Sequence, residues 1–228
     1  MSDAAPCRLG LVALGDSITY GEGGIVLGVD GRSWALWLAM ALELPYTNLA
    51  VAGVGADHVV AAQLPRVRAD YDVACVHIGV NDVRGPGWDP ATYERHLRHT
   101  LAGLCERAAR TLVCTVPVDL GRPPAGRKVT ALNAIIRSAA ADHGAVVCAL
   151  DDLAGWKLVL PDAVHPTALG QLEIADRAAR ALGAARAPSA LVEVDRSRRG
   201  TLRFARGWAG DLRRDVIRRG VERLRTER

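Results

Sequence analysis

Short apolar runs alternate along the chain with longer stretches whose apolar residues recur at helical spacing. The runs are Leu9–Leu14, Thr47–Val51, Asp72–Ile78, Thr111–Val116 and Ala145–Leu150. Runs of that length without polar alternation are expected as strands buried on both faces. The stretches Ser33–Leu44, Asp89–Arg110, Ala125–His143 and Pro166–Leu182 predict helices, and a shorter helix begins near Ala56–Asp57. Ser33 is placed to cap the first long helix, and Asp89-Pro90 to open the second with proline in its first turn. Strand and helix in alternation imply a parallel sheet with helices on both faces. Ligands of such a sheet bind beyond the carboxyl ends of its strands. The segments to inspect are therefore Gly15-Asp16-Ser17, Ala52–Gly55, Gly79–Asp82, Pro117–Asp119 and the loop Asp151–Pro166.

Composition narrows the class further. Half of the 228 residues are hydrophobic but only 4% are aromatic, so the core must be aliphatic. No apolar run has the length of a membrane span. The start, Met1 to Arg8, is polar and lacks the apolar centre of a secretory leader. The five cysteines show no C-x-x-C spacing, and Cys75, Cys114 and Cys148 sit inside apolar runs. Buried free thiols and a cytoplasmic location are expected. The formal charge of +4 is uneven. Arg186–Arg228 holds thirteen arginines and six acids, a net +7, which leaves −3 for the rest. The chain therefore reads as a domain over 1–185 and a basic extension over 186–228. A linker is marked by Pro188 and Asp195–Gly200, and a helix is expected over Gly207–Arg225, with Trp208, Leu212, Val216, Val221 and Leu224 near one face.

The chemistry lies at the expected strand ends. Ser17 follows the first strand, with Gly15 permitting a tight turn. In Asp162-Ala163-Val164-His165 a carboxylate three residues before a histidine folds back onto the ring and holds one tautomer, as a general base requires. Asn81 after the third strand has an amide that can donate to a developing oxyanion. Gly53 after the second offers an unshielded N–H, with Gly55 ranked behind it. Alone, each fragment also fits a capping or turn residue, and an isolated Gly-Asp-Ser more often is one. Together they put four chemical roles on one sheet edge.

In that order the four blocks resemble those of the SGNH (GDSL) hydrolases. Gly15-Asp16-Ser17-Ile18, Asn48–Gly53, Gly79-Val80-Asn81-Asp82 and Asp162–His165 match, over roughly residues 8–183, with Ile18 where the family name has leucine. The placement of the tail resembles that in actinobacterial, intracellular-looking members. The resemblance implies a flavodoxin-like three-layer α/β/α sandwich on a five-stranded parallel sheet. It implies Ser17 as nucleophile, His165 as base, Asp162 as its orienting acid, and an oxyanion hole from the Ser17 and Gly53 amides and the Asn81 side chain. It implies no metal or organic cofactor.

Rival motifs fail. Ser17 is followed by Ile18-Thr19, so there is no G-x-S-x-G elbow. Gly121–Lys128 imitates a phosphate loop, but its lysine is one place late and neither Ser nor Thr follows. No zinc-ligand spacing occurs. His58, His77, His96, His99 and His143 read as structural or surface residues. Trp34 and Trp37 read mainly as core. Trp88 and Trp156 fall in loops expected to border the site and are candidate substrate contacts. The expected partner is a small-molecule ester. Hydrolysis and acyl transfer use the same residues, and a binding module on the same scaffold is the reading from another class. The tail packs on its own domain, self-associates, or makes a peripheral contact with an anionic membrane. No base-reading motif supports nucleic acid.

Overall fold

The computed structural model describes residues 7–21 and 23–226, with side chains through residue 218. Met1–Pro6 and the side chains of Val221 and Leu224 lie outside that description.

The strands are β1 (Leu11–Gly15), β2 (Tyr46–Asn48), β3 (Tyr71–His77), β4 (Ala108–Cys114) and β5 (Val146–Cys148). They form one sheet in the order β2-β1-β3-β4-β5, and every pair is parallel. Every residue of β1 is buried, and so is nearly all of β3. Interior parallel strands are covered on both faces, and this is why their sequence shows no alternation.

The helices are α1 (Ser17–Tyr20), α2 (Trp34–Ala41), α3 (Ala56–His58), α4 (Val80–Arg84), α5 (Pro90–Arg107), α6 (Arg127–His143), α7 (Ala168–Ala181) and α8 (Arg198–Thr226). α2 packs on α7 and α5 on α6, so that helix pairs flank the sheet. Ser33 caps α2 by accepting from the Ala35 amide, and Asp89 caps α5 by accepting from Ala91 and Thr92. Trp34 and Trp37 are core residues.

Several expected boundaries move, for local reasons. β2 ends at Asn48 rather than Val51, because the Asn48 side chain accepts from the Ala50 amide and turns the chain. β5 ends at Cys148 rather than Leu150, because the Leu150 amide is taken by the Thr115 hydroxyl at 2.7 Å. Pro166 does not open the last helix of the sheet layers. Thr167 is the N-cap of α7, accepting from the Gly170 amide, and Pro166 stands before it, bridged to Val159.

The extension is more regular than expected. α8 starts at Arg198, nine residues earlier than the apolar periodicity indicates. Trp208 donates its indole N–H to the Val159 carbonyl at 3.2 Å. Trp156 stacks on Phe204 with ring centroids 5.2 Å apart and meets Trp208 edge-on at 6.4 Å. Val216, expected on the packed face, is exposed, as are Leu202 and Ile217. The aromatic clasp thus holds the first half of α8. Trp208→Ala removes this anchor at a partly buried site, and a loss of about 2 kcal/mol translates to roughly 4–8 °C in a chain of this size. Scanning calorimetry checks it, and an unchanged Tm would mean that the clasp contributes nothing to stability.

Candidate active site

At position 15 the chain leaves β1 with φ +148°, and a Cβ there would collide with the His77 carbonyl. Glycine is therefore required where β1 runs into the Ser17 turn. β2 has ended by this point, and although the Val51 amide beyond it still donates to the Gly15 carbonyl at 3.1 Å, the Gly15 N–H needs a partner from elsewhere. The Gln63 amide engages both groups: its oxygen accepts from the Gly15 N–H at 2.9 Å and its nitrogen donates to the Gly15 carbonyl at 2.8 Å. Three residues on, the Gln171 amide donates to the Ile18 carbonyl at 2.9 Å and accepts from the Trp34 N–H at 2.9 Å. Both glutamines are buried. Asp16, between these clamps, caps α1 by accepting from the Ile18 amide at 3.0 Å. It has no exposed surface, and burial pushes its carboxyl up to about 7 against the pull of the Ile18 amide and His165.

Across this turn the Ser17 hydroxyl lies 3.0 Å from Nε2 of His165. Nδ1 of the same ring lies 2.7 Å from Oδ2 of Asp162. The other Asp162 oxygen accepts from the amides of Val164 at 2.9 Å and His165 at 3.1 Å. The loop is tight enough to hold Ala163 at φ +55°, a left-handed conformation uncommon for a residue with a side chain. The Ala163 carbonyl accepts from Gly121 at 2.8 Å, and the His165 carbonyl accepts from Leu160 at 2.8 Å, which closes the turn. Burial alone would raise the Asp162 carboxyl, but the His165 ring and the two amides outweigh it and hold it at about 2. The hydrogen bond to Asp162 raises the His165 ring above its ordinary value, against partial burial.

The Gly53 and Asn81 segments are tied to each other. Nδ2 of Asn81 donates to the Val54 carbonyl at 2.9 Å. The Asp82 carboxylate accepts from the Ala56 amide at 3.0 Å, bracing the start of α3. Gly53 takes φ +79° with open space where a Cβ would project, so nothing crowds its backbone. Gly55, the second-ranked donor, sits against the Asp57 and Asp82 carboxylates. Trp88 packs on Tyr93, whose hydroxyl donates to the Ile78 carbonyl just ahead of Asn81. Trp156 turns to α8. Among the described residues no group of three or more His, Cys, Asp or Glu side chains is placed to hold a metal ion. No described helix is long and apolar enough to cross a membrane.

Sequence reasoning missed Gln63, Gln171 and the capping role of Asp82. Their partners lie far away in sequence, and an isolated glutamine in an apolar stretch has no local signature.

A parallel sheet in 2-1-3-4-5 order with serine, asparagine and an Asp-x-x-His loop at its strand ends defines a hydrolase of the SGNH fold. Residues 13–172 match the GDSL-like Lipase/Acylhydrolase family, and the chain belongs to that family. It is a serine ester hydrolase. The fold is similar to that of LAE5, an α/β hydrolase from the metagenome of Lake Arreo in Spain. The TM-score is 0.65 at 20% identity, over 79% of this chain and 96% of that one. It is also similar to Axe2, an acetylxylan esterase from Geobacillus stearothermophilus, with a TM-score of 0.63 at 18% identity over 76% of this chain and 94% of that one. Comparison of the sequence with curated proteins finds no match.

Gln63→Leu would leave the buried Gly15 N–H without a partner. The expected cost is about 1–3 kcal/mol of stability, read by denaturant unfolding. A variant as stable as the parent would show that the glutamine clamp is dispensable.

Proposed function

We propose that the chain hydrolyses a small carboxylic ester through an acyl-serine intermediate formed on Ser17. The observation that carries this reading is the continuous relay from the Ser17 hydroxyl through His165 to Asp162, at 3.0 Å and 2.7 Å. His165, neutral at Nε2, takes the Ser17 proton as the oxygen attacks the acyl carbon, and returns it to the leaving alcohol. Water then repeats the sequence and releases the acid. Asp162 keeps the ring in the tautomer that leaves Nε2 free of its proton and stabilises the cation formed in between. The backbone amides of Ser17 and Gly53 and the Asn81 side chain receive the oxyanion. Asn81 suits that task because its bond to Val54 fixes the amide plane before the charge develops. Trp88 is assigned to the substrate's approach beside Asn81.

The division of labour along the chain belongs to the same proposal. Residues 1–185 carry the hydrolase chemistry, and 186–228 form the basic extension. A cytoplasmic location is supported by the free, buried thiols of Cys75, Cys114 and Cys148. Peripheral contact with an anionic membrane is supported by exposed Leu202, Val216 and Ile217 on an α8 rich in arginine.

The direct test is labelling with a fluorophosphonate. Ser17 should be the only serine modified, and Ser17→Ala should lose nearly all turnover of a small aryl ester while keeping its unfolding transition. Modification at another serine would remove Ser17 from the role.

The pH dependence follows from the sign of the His165 shift. The base works when neutral, so kcat/KM should climb with pH along a limb whose midpoint lies above the ordinary histidine value of 6.5. Asp162→Asn removes the group that raises the ring. It should move that limb to lower pH and reduce kcat by up to about 10⁴. A midpoint that stays in place in the variant would contradict the assignment of Asp162.

A further inference from the structure

Arg84 closes α4, the short helix that begins at Val80 and carries Asn81. Three residues apart, Asn81 and Arg84 stand on the same side of that helix. Arg84 is exposed, and its side chain lies over the turn at Gly121: a Cβ added to Gly121 would stand 3.2 Å from Nε of Arg84. Gly121 takes φ +80°, a conformation that favours glycine, and its bare backbone leaves the arginine its place. The Gly121 amide in turn donates to the Ala163 carbonyl at 2.8 Å, between Asp162 and His165. A cation is thus held between the Asn81 segment and the triad loop.

Among the described residues no carboxylate stands within ion-pair distance of this cation. The acid of the neighbouring loop, Asp119, is taken at both oxygens by Arg122, at 2.7 and 2.8 Å. Asp162 is turned to the His165 ring and to the amides of Val164 and His165, and Asp82 to the Ala56 amide. The charge of Arg84 is nevertheless felt at the reaction site, where it opposes protonation of the His165 ring against the pull of Asp162 and Asp16. A base that must take a proton from Ser17 is weakened by such a neighbour. An anion bound to Arg84 would cancel that field once the substrate is in place.

We propose that Arg84 is a specificity residue: the hydrolase takes esters that carry a carboxylate or phosphate group, and Arg84 binds that group. The proposal rests on the ester-hydrolase reading and names its substrate class. The planar guanidinium offers paired donors that match either anion. Its exposure keeps it within reach of a substrate entering beside Asn81. The anion can sit on the acyl or the alcohol half of the ester, and the test separates the two.

The test compares kcat/KM within two pairs of esters on the full-length chain, for the parent, Arg84→Gln and Arg84→Glu. In the first pair the charge is on the acyl half: the 4-nitrophenyl monoester of succinate against its methyl diester. In the second it is on the alcohol half: 4-acetoxybenzoate against its methyl ester. The ratio of anionic to neutral turnover is read in each protein, so that differences in leaving-group reactivity cancel and a folding defect lowers both members alike. In Arg84→Gln the ratio should fall at least about tenfold in one pair, the worth of a charge-assisted hydrogen bond, and that pair identifies the half that carries the anion. Arg84→Glu, which sets a like charge against the anion, should lower the same ratio further. A ratio unchanged in both pairs in Arg84→Gln, or one no lower in Arg84→Glu than in Arg84→Gln, would overturn the proposal and leave ester hydrolysis standing. If the parent turns over none of the four esters, the esterase reading itself fails and this proposal falls with it.

Discussion

The Asp162 carboxylate does two tasks with its two oxygens. One oxygen accepts from the amides of Val164 and His165 and so shapes the loop, while the other accepts from the His165 ring. The same four-residue turn therefore sets where the imidazole stands and which nitrogen carries its proton. The arrangement requires Ala163 to accept a left-handed backbone, a local cost of about 1–2 kcal/mol. That cost is offset where the turn is cross-linked, by Leu160 to the His165 carbonyl and by Gly121 to the Ala163 carbonyl. A carboxylate held at about 2 keeps its charge through the whole range in which the ring titrates. The loop geometry is thus insulated from the protonation changes that the ring undergoes.

The serine side solves a different problem. A side chain displayed at a sheet edge needs a rigid turn at the place where strand pairing runs out. Two buried amides supply the missing partners: Gln63 stands in for an extra strand residue beside Gly15, and Gln171 joins Ile18 to the start of α2. Each glutamine comes from a different element, one from the helical segment after β2 and one from α7. The position of Ser17 is therefore referenced to both helix layers. His165 stands just ahead of α7, so one element contributes to the placement of both Ser17 and His165.

How much of this was legible depends on whether the controlling contact is local. The parallel sheet was legible because buried strands and amphipathic helices differ in period, and Leu11–Gly15 or Tyr71–His77 cannot be mistaken for a surface. Ser17, Asn81, Asp162 and His165 were legible as candidates because polar residues of those types fell at strand ends in a chemically workable order. The strand ends themselves were not, since Asn48 and Thr115 stop β2 and β5 with side-chain hydrogen bonds that apolar pattern does not register. The glutamine clamps were invisible for the stronger reason that their partners are 48 and 153 residues away. Trp156 was read as a neighbour of the site from its place just before Asp162, but its ring faces α8, a direction that only tertiary packing sets.

The loop from Asp151 to Pro166 hangs from three supports, and this bears on what the extension is for. At its start, Asp151 is held by Thr115, Asn133 and Arg137. At its end, Thr167 takes the Lys157 carbonyl at 2.6 Å and the Leu158 carbonyl at 2.9 Å. Between them, the Val159 carbonyl is met by Trp208 from α8. A misplacement of about 1 Å between reacting groups can cost on the order of 100-fold in rate, so on the proposed assignment each support bears on chemistry as well as on stability. One of the three supports of the loop that carries His165 thus comes from beyond residue 185. Leu202, Val216 and Ile217 of α8 are exposed and take no part in the aromatic clasp. Anything that bound there and shifted α8 would act on Val159 first and, through three further residues of backbone, on Asp162.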